Sequence, residues 1–581
     1  MREIFPFTQW LATYNRDDAA SDFVAAIIVT IMLVPQSLAY AMLAGLPPEA
    51  GLYASMLPLL AYAIFGSSRT LAVGPVAITS LMTAAAAGKI AAAGSAAYIE
   101  AVLALAAMSG LVLLAMSILR LGFITNLLSH PVISGFISAS AVLIAASQFK
   151  NILGVQASGD TLLKLIPSLL DHVAQTNLYS LAIGGAALGF LLWARSRLMP
   201  LLRRLGLAPF YASLAAKAGP LAAVLTSIAM VNFLGLHEKG VKIVGAIPAS
   251  LPPFTVPSFD AAIWLQLFPA AILLSLIGFV ESVSVAQTLA ARRRERVDAN
   301  QELTALGVSN LTAAISGGMP VTGGFSRSVV NFDAGARTPL AGVFTALGIL
   351  LAGLYLTPFF SLLPQAVLGA TIIAAVLGLI DLGTIKRVWA YSKADFAAMG
   401  ATILTVLMEG VEAGILAGVS LSLVLFIWRT SRPHMAVVGQ MPGTEHFRNI
   451  KRHAVITDPD ILSVRVDESL YFLNAHYLED AIYDLAIAAG TVKHVVLMCT
   501  AVNIVDSSAL VSLEALSQRL KSAGITFHLS EVKGPVMDAL QHSDFFTHFE
   551  GKVFLSQFEA IQALSQKTKG ADQIRAPAMI D

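Results

Sequence analysis

Between about residue 23 and residue 428 the chain runs through one apolar stretch after another, each long enough to cross a bilayer. This feature restricts the fold more than any other, because hydrocarbon offers no partner to an open backbone and closed helices satisfy their own. Clear stretches are Phe23–Leu46, Ala50–Phe65, Ala101–Leu119, Leu121–Phe149, His172–Ala194, Ala218–Leu236 and Ala261–Val280. The uncharged run Pro339–Ile380 is too long for one crossing, and Pro358 and Pro364 mark a turn between two. Phe396–Met408 and Ala413–Trp428 follow, and weaker pieces at 69–88, 301–317 and 325–334 bring the expected count to fourteen spans, some short or broken. Hydrophobic residues make up 56% of the 581 and charged residues 13%, against about 25% charged in soluble domains.

Loop charges orient these spans. Arg69, Arg120, Arg195, Arg197, Arg203, Arg204, Arg292–Arg294, Arg296, Lys386, Arg387, Arg429 and Arg432 all follow even-numbered spans, so one alternating topology puts both termini on the cytoplasmic side. Residues 1–22 read as a cytoplasmic lead-in on the lipid surface, 23–432 as the membrane domain and 433–452 as a linker. Over 453–567 strand-like and helical patterns alternate, which predicts a soluble α/β domain, and 568–581 as a disordered tail. The net charge of +1 gives no case for a nucleic-acid partner. The single cysteine, Cys499, excludes an internal disulfide and sits in an apolar run as a core residue. No cysteine–histidine array, nucleotide loop or nucleophile–base spacing is present, so neither an enzyme, a metal site nor a cofactor is expected.

Two segments break the apolar pattern in a matching way. One is Ser67–Ser80 (SSRTLAVGPVAITS) and the other Gly317–Ser328 (GGMPVTGGFSRS), each a Gly/Pro-interrupted piece followed by small and hydroxyl residues. They fall in the third and tenth spans, so the two would enter the membrane in opposite orientations, the pattern of a transporter's central site. A helix that begins at mid-membrane exposes unpaired N–H groups and the positive end of its dipole. Two such ends form an anion site without any metal, and Thr79, Ser326 and Ser328 can add hydroxyl donors. The plainer alternative is that Gly and Pro are common in membrane helices.

Arg327 follows a charge-free stretch from Leu303. Arginine at the membrane centre costs about 2.5–3.5 kcal/mol, which a bound anion or a carboxylate can offset, unless the side chain snorkels to the interface. Glu281 follows the charge-free run Ala261–Val280. Desolvation and a nearby cation act on such a carboxyl in opposite senses, which suits it to bind and release a proton. A fixed ion pair with Arg327 is the alternative. Pro35 interrupts the first span, and Gln36 and Tyr40 bring polar atoms that need either a hydrated site or interhelical partners. His130 and Gln287 read as packing groups.

These strings resemble the sulfate permease (SulP) family: VPQSLAYAMLAGLPPEAGLY at Val34–Tyr53, SSRTLAVGPVA at Ser67–Ala77, Glu281, GGFSRSVVN at Gly323–Asn331 and AGART at Ala334–Thr338. VNIVDSSALVSLEAL at Val502–Leu516 resembles a STAS domain. The resemblance implies a polytopic helical fold with a seven-plus-seven inverted repeat, a core that moves as an elevator against a gate, and a homodimer. Carried onto this chain, it implies an anion site of Gln36, Tyr40, Val76, Ala77, Phe325, Ser326 and Arg327, with Glu281 at the coupling position. Close sodium-coupled bicarbonate relatives tend to have Asp there, and the longer Glu favours protons over sodium. In STAS relatives the serine after the Asp can be phosphorylated, here Ser507, although Asp506 equally suits a helix cap. The expectation is therefore a proton-coupled symporter for a small oxyanion, sulfate first. Fumarate or succinate, sodium-coupled bicarbonate transport, and an exchanger or channel are alternatives. A membrane-bound signalling protein with STAS output is the alternative from another class. The absence of a long insert in the STAS region resembles bacterial members and implies a bacterial inner membrane.

Overall fold

The computed structural model describes residues 5–126, 129–159, 161–208, 211–212, 215–216, 218–565 and 574–575. Its contacts divide the chain into two units, Met1–Ser422 and Leu423–Asp581. In the first unit, seven helices among the described residues are long and apolar enough to cross a membrane, counting the one that ends at Ser431: Arg16–Leu43, Ala96–Ile118, His130–Leu153, Leu178–Arg204, Ala261–Arg293, Gln365–Tyr391 and Val411–Ser431. Shorter apolar helices, Ala77–Ala87, Gly219–Leu234 and Leu340–Tyr355, lie between them. The first long helix starts at Arg16, before the expected residue 23, because Asn15 Oδ1 accepts the backbone N–H groups of Asp17 and Asp18. It also runs on through Pro35, so the expected interruption is absent. One missing backbone bond costs less than ending a helix in hydrocarbon. The apolar run Ala50–Phe65 divides into helices Pro48–Tyr53 and Leu57–Phe65.

Small residues let these helices approach closely. Helix Ala96–Ile118 packs along Ala299–Ile315 with Gly110 against Gly307. A Cβ on Gly110 would lie 2.9 Å from the Gly307 carbonyl oxygen, and one on Gly307 3.1 Å from that of Gly110. Without a hydrophobic drive between helices in lipid, such backbone-level contact is a main source of association.

In the second unit, strands Ile461–Val466, His494–Met498, Thr526–Ser530 and Val553–Phe554 pair in parallel, and Met435–Gln440 pairs antiparallel with the first of them. Helices Ala475–Ala489 and Ser507–Ser522 cover one face over Val464, Leu497 and Phe527. Gln557–Leu564 covers the other, with Ala560 on Val496 and Ile461. The expected linker at 433–452 is corrected: Met435–Gln440 and Phe447–Asn449 are strands of this sheet. Ala436 and Val438 alternate inward along the first of these, a short pattern that flanking polar residues disguise. The strand-like stretch Leu470–Leu473 forms only an isolated bridge between Leu470 and Val505. The expected disordered tail lies outside the described residues, except that Ile574–Arg575 pair with Val455–Ile456. Cys499 is buried, and burial pushes its thiol up to about 12.

Two adjacent parallel strands bring His494 Nδ1 within 3.2 Å of His528 Nε2. His528 Nδ1 accepts the Lys552 backbone N–H at 3.0 Å, so the neutral ring carries its proton on Nε2. Burial, with His494 and Lys552 nearby, pushes His528 down to about 4.

Replacing Gly307 with Val should lower the thermal midpoint in detergent through about 1–3 kcal/mol of overpacking. Gly185→Val, where a Cβ meets nothing within 4 Å, should leave it unchanged. In the second unit a depressed histidine stays neutral when folded, while the unfolded ring protonates near its ordinary value of 6.5. Stability contributed by His528 is thus complete above pH 6.5 and lost as pH falls toward about 4. His528→Gln should flatten that slope in chemical-denaturation series at stepped pH.

Candidate functional site

Two residues from each half of the membrane unit build its centre. Val73–Gly74 pairs antiparallel with Thr322–Gly323, Val73 opposite Gly323 and Gly74 opposite Thr322. Each short strand feeds a helix: Val76 is the extended residue before Ala77–Ala87, and Gly324 the one before Phe325–Asp333. Because the strands are antiparallel, the two helices leave in opposite directions with their N-termini near the ladder. Neither start carries a side-chain cap, so the first amides of both helices have no side-chain acceptor.

Side chains that the sequence reading passed over hold this crossing. Asn310 clamps the Val321 backbone, accepting from its N–H at 3.0 Å and donating to its carbonyl at 2.9 Å. Ser282 Oγ accepts the Gly323 N–H at 2.8 Å and donates to the Gly278 carbonyl at 2.6 Å, bolting helix Ala261–Arg293 to the ladder. Asn331 Nδ2 donates to the Thr70 carbonyl at 3.1 Å. Glu302 is fully buried and accepts from the Tyr62 hydroxyl, the Ser67 hydroxyl and the backbone N–H groups of Ser67 and Ser68. At the far end of Phe325–Asp333, Arg293 donates to the Ala336 carbonyl at 2.6 Å and lies 4.4 Å over the Phe332 ring. Asp22 accepts from Arg337 N, Thr338 N and the Thr338 hydroxyl. A carboxylate and an amide inside the weak 301–317 span were the available signal, since polar groups in hydrocarbon need partners.

The structure gathers most of the expected residues here. Arg327 is 3% exposed and turned inward, its Nη2 donating to the Pro75 carbonyl of the opposite segment. Its guanidinium fills the space where Gly74 and Gly324 lack side chains: a Cβ on Gly324 would stand 3.0 Å from Nε, and one on Gly74 would collide with Nη1. Glu281 is the carboxylate whose field reaches Arg327, without an ion pair between them. Gln36 and Tyr40 lie four residues apart, on one face of Arg16–Leu43, which packs against both half-helices. Val76 and Ala77 open one half-helix, and Phe325 and Ser326 are exposed on the first turn of the other. Two expected hydroxyl donors are committed elsewhere. Thr79 donates to the Val76 carbonyl, and Ser328 donates to the Gly324 carbonyl while accepting from Ala72 N.

Glu281 is 9% exposed on the helix that packs against the ladder and both half-helices. It makes no ion pair with Arg327 among the described residues, and its Oε2 has no hydrogen-bond partner. Glu302, with four donors, is by contrast a satisfied structural carboxylate. Thr322 Oγ1 is also buried and unpartnered. In the second unit Ser507 is exposed at the start of its helix, and Asp506 caps that helix through Ala509 N at 2.8 Å while also accepting from Phe472 N at 2.9 Å. The cluster His476, Glu479 and Asp480 has metal-ligand spacing, but Arg519 occupies both carboxylates at 2.8 Å.

Comparison with known proteins fits this geometry. The Sulfate permease family model matches residues 20–402, and the STAS domain model matches residues 453–560. "Sulfate transporter 4.1, chloroplastic" of Arabidopsis thaliana is 38% identical over 542 residues, covering 91% of this chain and 77% of the relative. The structure of the murine Slc26a9 anion transporter in its inward-facing state superposes with a TM-score of 0.84 at 23% identity, covering 96% of this chain and 94% of that one. The transmembrane domain of the cyanobacterial bicarbonate transporter BicA gives a TM-score of 0.60 at 21% identity, covering 70% of this chain and 98% of that one. The chain is therefore an integral membrane protein that belongs to the sulfate permease family, a family of transporters and not of enzymes, with a C-terminal STAS domain.

Proposed function

We propose that the paired helix starts and Arg327 hold a small anion, and that the protein carries it across the membrane as a proton-coupled symporter. One observation carries this reading: two uncapped helix N-termini lie at one short ladder beside a buried guanidinium that has no carboxylate in ion-pair reach among the described residues. Dipole ends and a full cation in a poorly screened site favour a negative solute. Gln36, Tyr40, Val76, Ala77, Phe325 and Ser326 border it. Sulfate is the first candidate, supported by the plant relative's name; a dicarboxylate such as fumarate and bicarbonate come next. Glu281 is the coupling group, because a buried carboxyl oxygen without a donor is relieved by taking up a proton. Matching half-helices in opposite orientation support an inverted repeat of seven plus seven spans that moves as an elevator, in a homodimer with both termini cytoplasmic. A bacterial inner membrane is the expected setting, although the relative compared above is a plant protein. Ser507 is the candidate regulatory phosphorylation site.

Arg327→Ala should weaken equilibrium binding of radiolabelled sulfate at least about tenfold, as expected for a charge-assisted contact of about 1.5–3 kcal/mol, while the melting profile stays cooperative. Unchanged affinity would remove Arg327 from the site. In proteoliposomes with an imposed pH gradient, wild-type protein should accumulate anion and Glu281→Gln should only equilibrate it. Accumulation that ignores the pH gradient but follows sodium would replace the proton, and an obligatory counter-anion would make the protein an exchanger.

A further inference from the structure

Away from the ladder, at the C-terminal end of helix Ala77–Ala87, the membrane unit holds a cavity of about 680 Å³. Its wall includes Lys89, Gln148, Lys150, Gln365, Glu409 and Glu412, drawn from four separate stretches of chain. The charges in it are not equivalent. Lys89 is taken, with Nζ 2.6 Å from Glu412 Oε2, and Glu409 is exposed. Lys150 is half-buried, and among the described residues its ammonium has neither a carboxylate in ion-pair reach nor a hydrogen-bond acceptor. The charge that acts on it is a second cation, Lys242. The backbone places Lys242 there: its carbonyl accepts the Gln365 N–H at 2.9 Å, and Gln365 lines the same cavity. The neighbouring amides are otherwise engaged, Asn151 Nδ2 donating to Gln148 Oε1 at 2.9 Å and Gln365 Nε2 to the Ile243 carbonyl at 3.2 Å.

A lysine in the last turn of a helix gains from the dipole, and Lys150 occupies that position in His130–Leu153. That gain explains one cation. It does not explain why a second cation, the exposed Lys242, also acts on a half-buried lysine that has no counter-charge of its own; an anion held at Lys150 relieves that repulsion. We propose that Lys150, assisted by Lys242, forms a second, weaker anion site in this cavity, which collects the transported oxyanion or carboxylate before it reaches the helix starts. The inference rests on the anion-transport reading of the central site.

The test is initial-rate uptake into proteoliposomes of radiolabelled sulfate, fumarate and bicarbonate in parallel, each across a concentration series. Lys150→Gln should raise KM about three- to tenfold, the scale of one partly screened charge contact, with the maximal rate within about twofold of wild type. Lys150→Arg should restore the wild-type KM. Added potassium chloride should raise the wild-type KM more than that of the variant. An unchanged KM in Lys150→Gln overturns the second site while leaving the transport reading intact. A fall in maximal rate at constant KM points to a structural role and also overturns it. If Lys150→Gln does not fold, the exposed Lys242→Gln carries the same test with the same outcomes. Wild-type vesicles that take up none of the three anions overturn the transport reading and this inference with it.

Discussion

Everything at the centre of the membrane unit depends on two pairs of residues meeting backbone to backbone, Val73–Gly74 with Thr322–Gly323. Open backbone in the hydrocarbon region is tolerated only where protein or water satisfies it. The ladder satisfies part of it, and Asn310, Ser282, Ser328 and Asn331 satisfy more. What they leave without a side-chain acceptor are the first amides of two helices, and that remainder is the surface proposed to hold the anion. Side-chain caps on those amides would add stability and remove the donors that the proposed site uses.

Arg327 ties the two halves together. It belongs to one half-helix and donates to the Pro75 carbonyl that precedes the other. Glycines on both segments make room for it. Turning a guanidinium inward rather than letting it snorkel requires compensation. Part comes from that carbonyl, and the proposed anion supplies the rest. Glu302 and Glu281 show how environment separates two buried carboxylates. The first accepts four hydrogen bonds and fixes the loop ahead of the ladder, and the second keeps an oxygen unpartnered beside Arg327.

Much of this was legible in the residues. The broken segments at 67–80 and 317–328 stood out because Gly, Pro and hydroxyls interrupt long apolar runs, and interruption is a local property. Hydropathy located many of the helices, but it missed the start at Arg16, where a cap rather than apolarity sets the boundary, began the span at Leu121 nine residues before its helix at His130, and ended Ala261–Val280 short of Arg293. It also missed strand Met435–Gln440, whose alternation is too short to stand out beside the polar residues around it. Asn310 and Ser282 were invisible as site-builders because their partners lie 11 and 41 positions away, and no periodicity reports such a pairing.

By itself the sequence determined that residues from about 23 to 432 form membrane helices, and it pointed to two broken segments, Arg327 and Glu281 as the polar groups of that layer, with ordinary helix packing and a snorkelling arginine still open. Those conclusions follow from the cost of transferring polar groups into hydrocarbon, which composition and order alone fix. Only the tertiary structure decided that the two helix starts lie beside one short ladder, that Arg327 points across to the other half, that Thr79 and Ser328 spend their hydroxyls on backbone, and that Lys150 lines a cavity without a counter-charge among the described residues. Each of these depends on which distant backbone atom a side chain reaches, and that is set by how the helices pack rather than by any residue's neighbours in the chain.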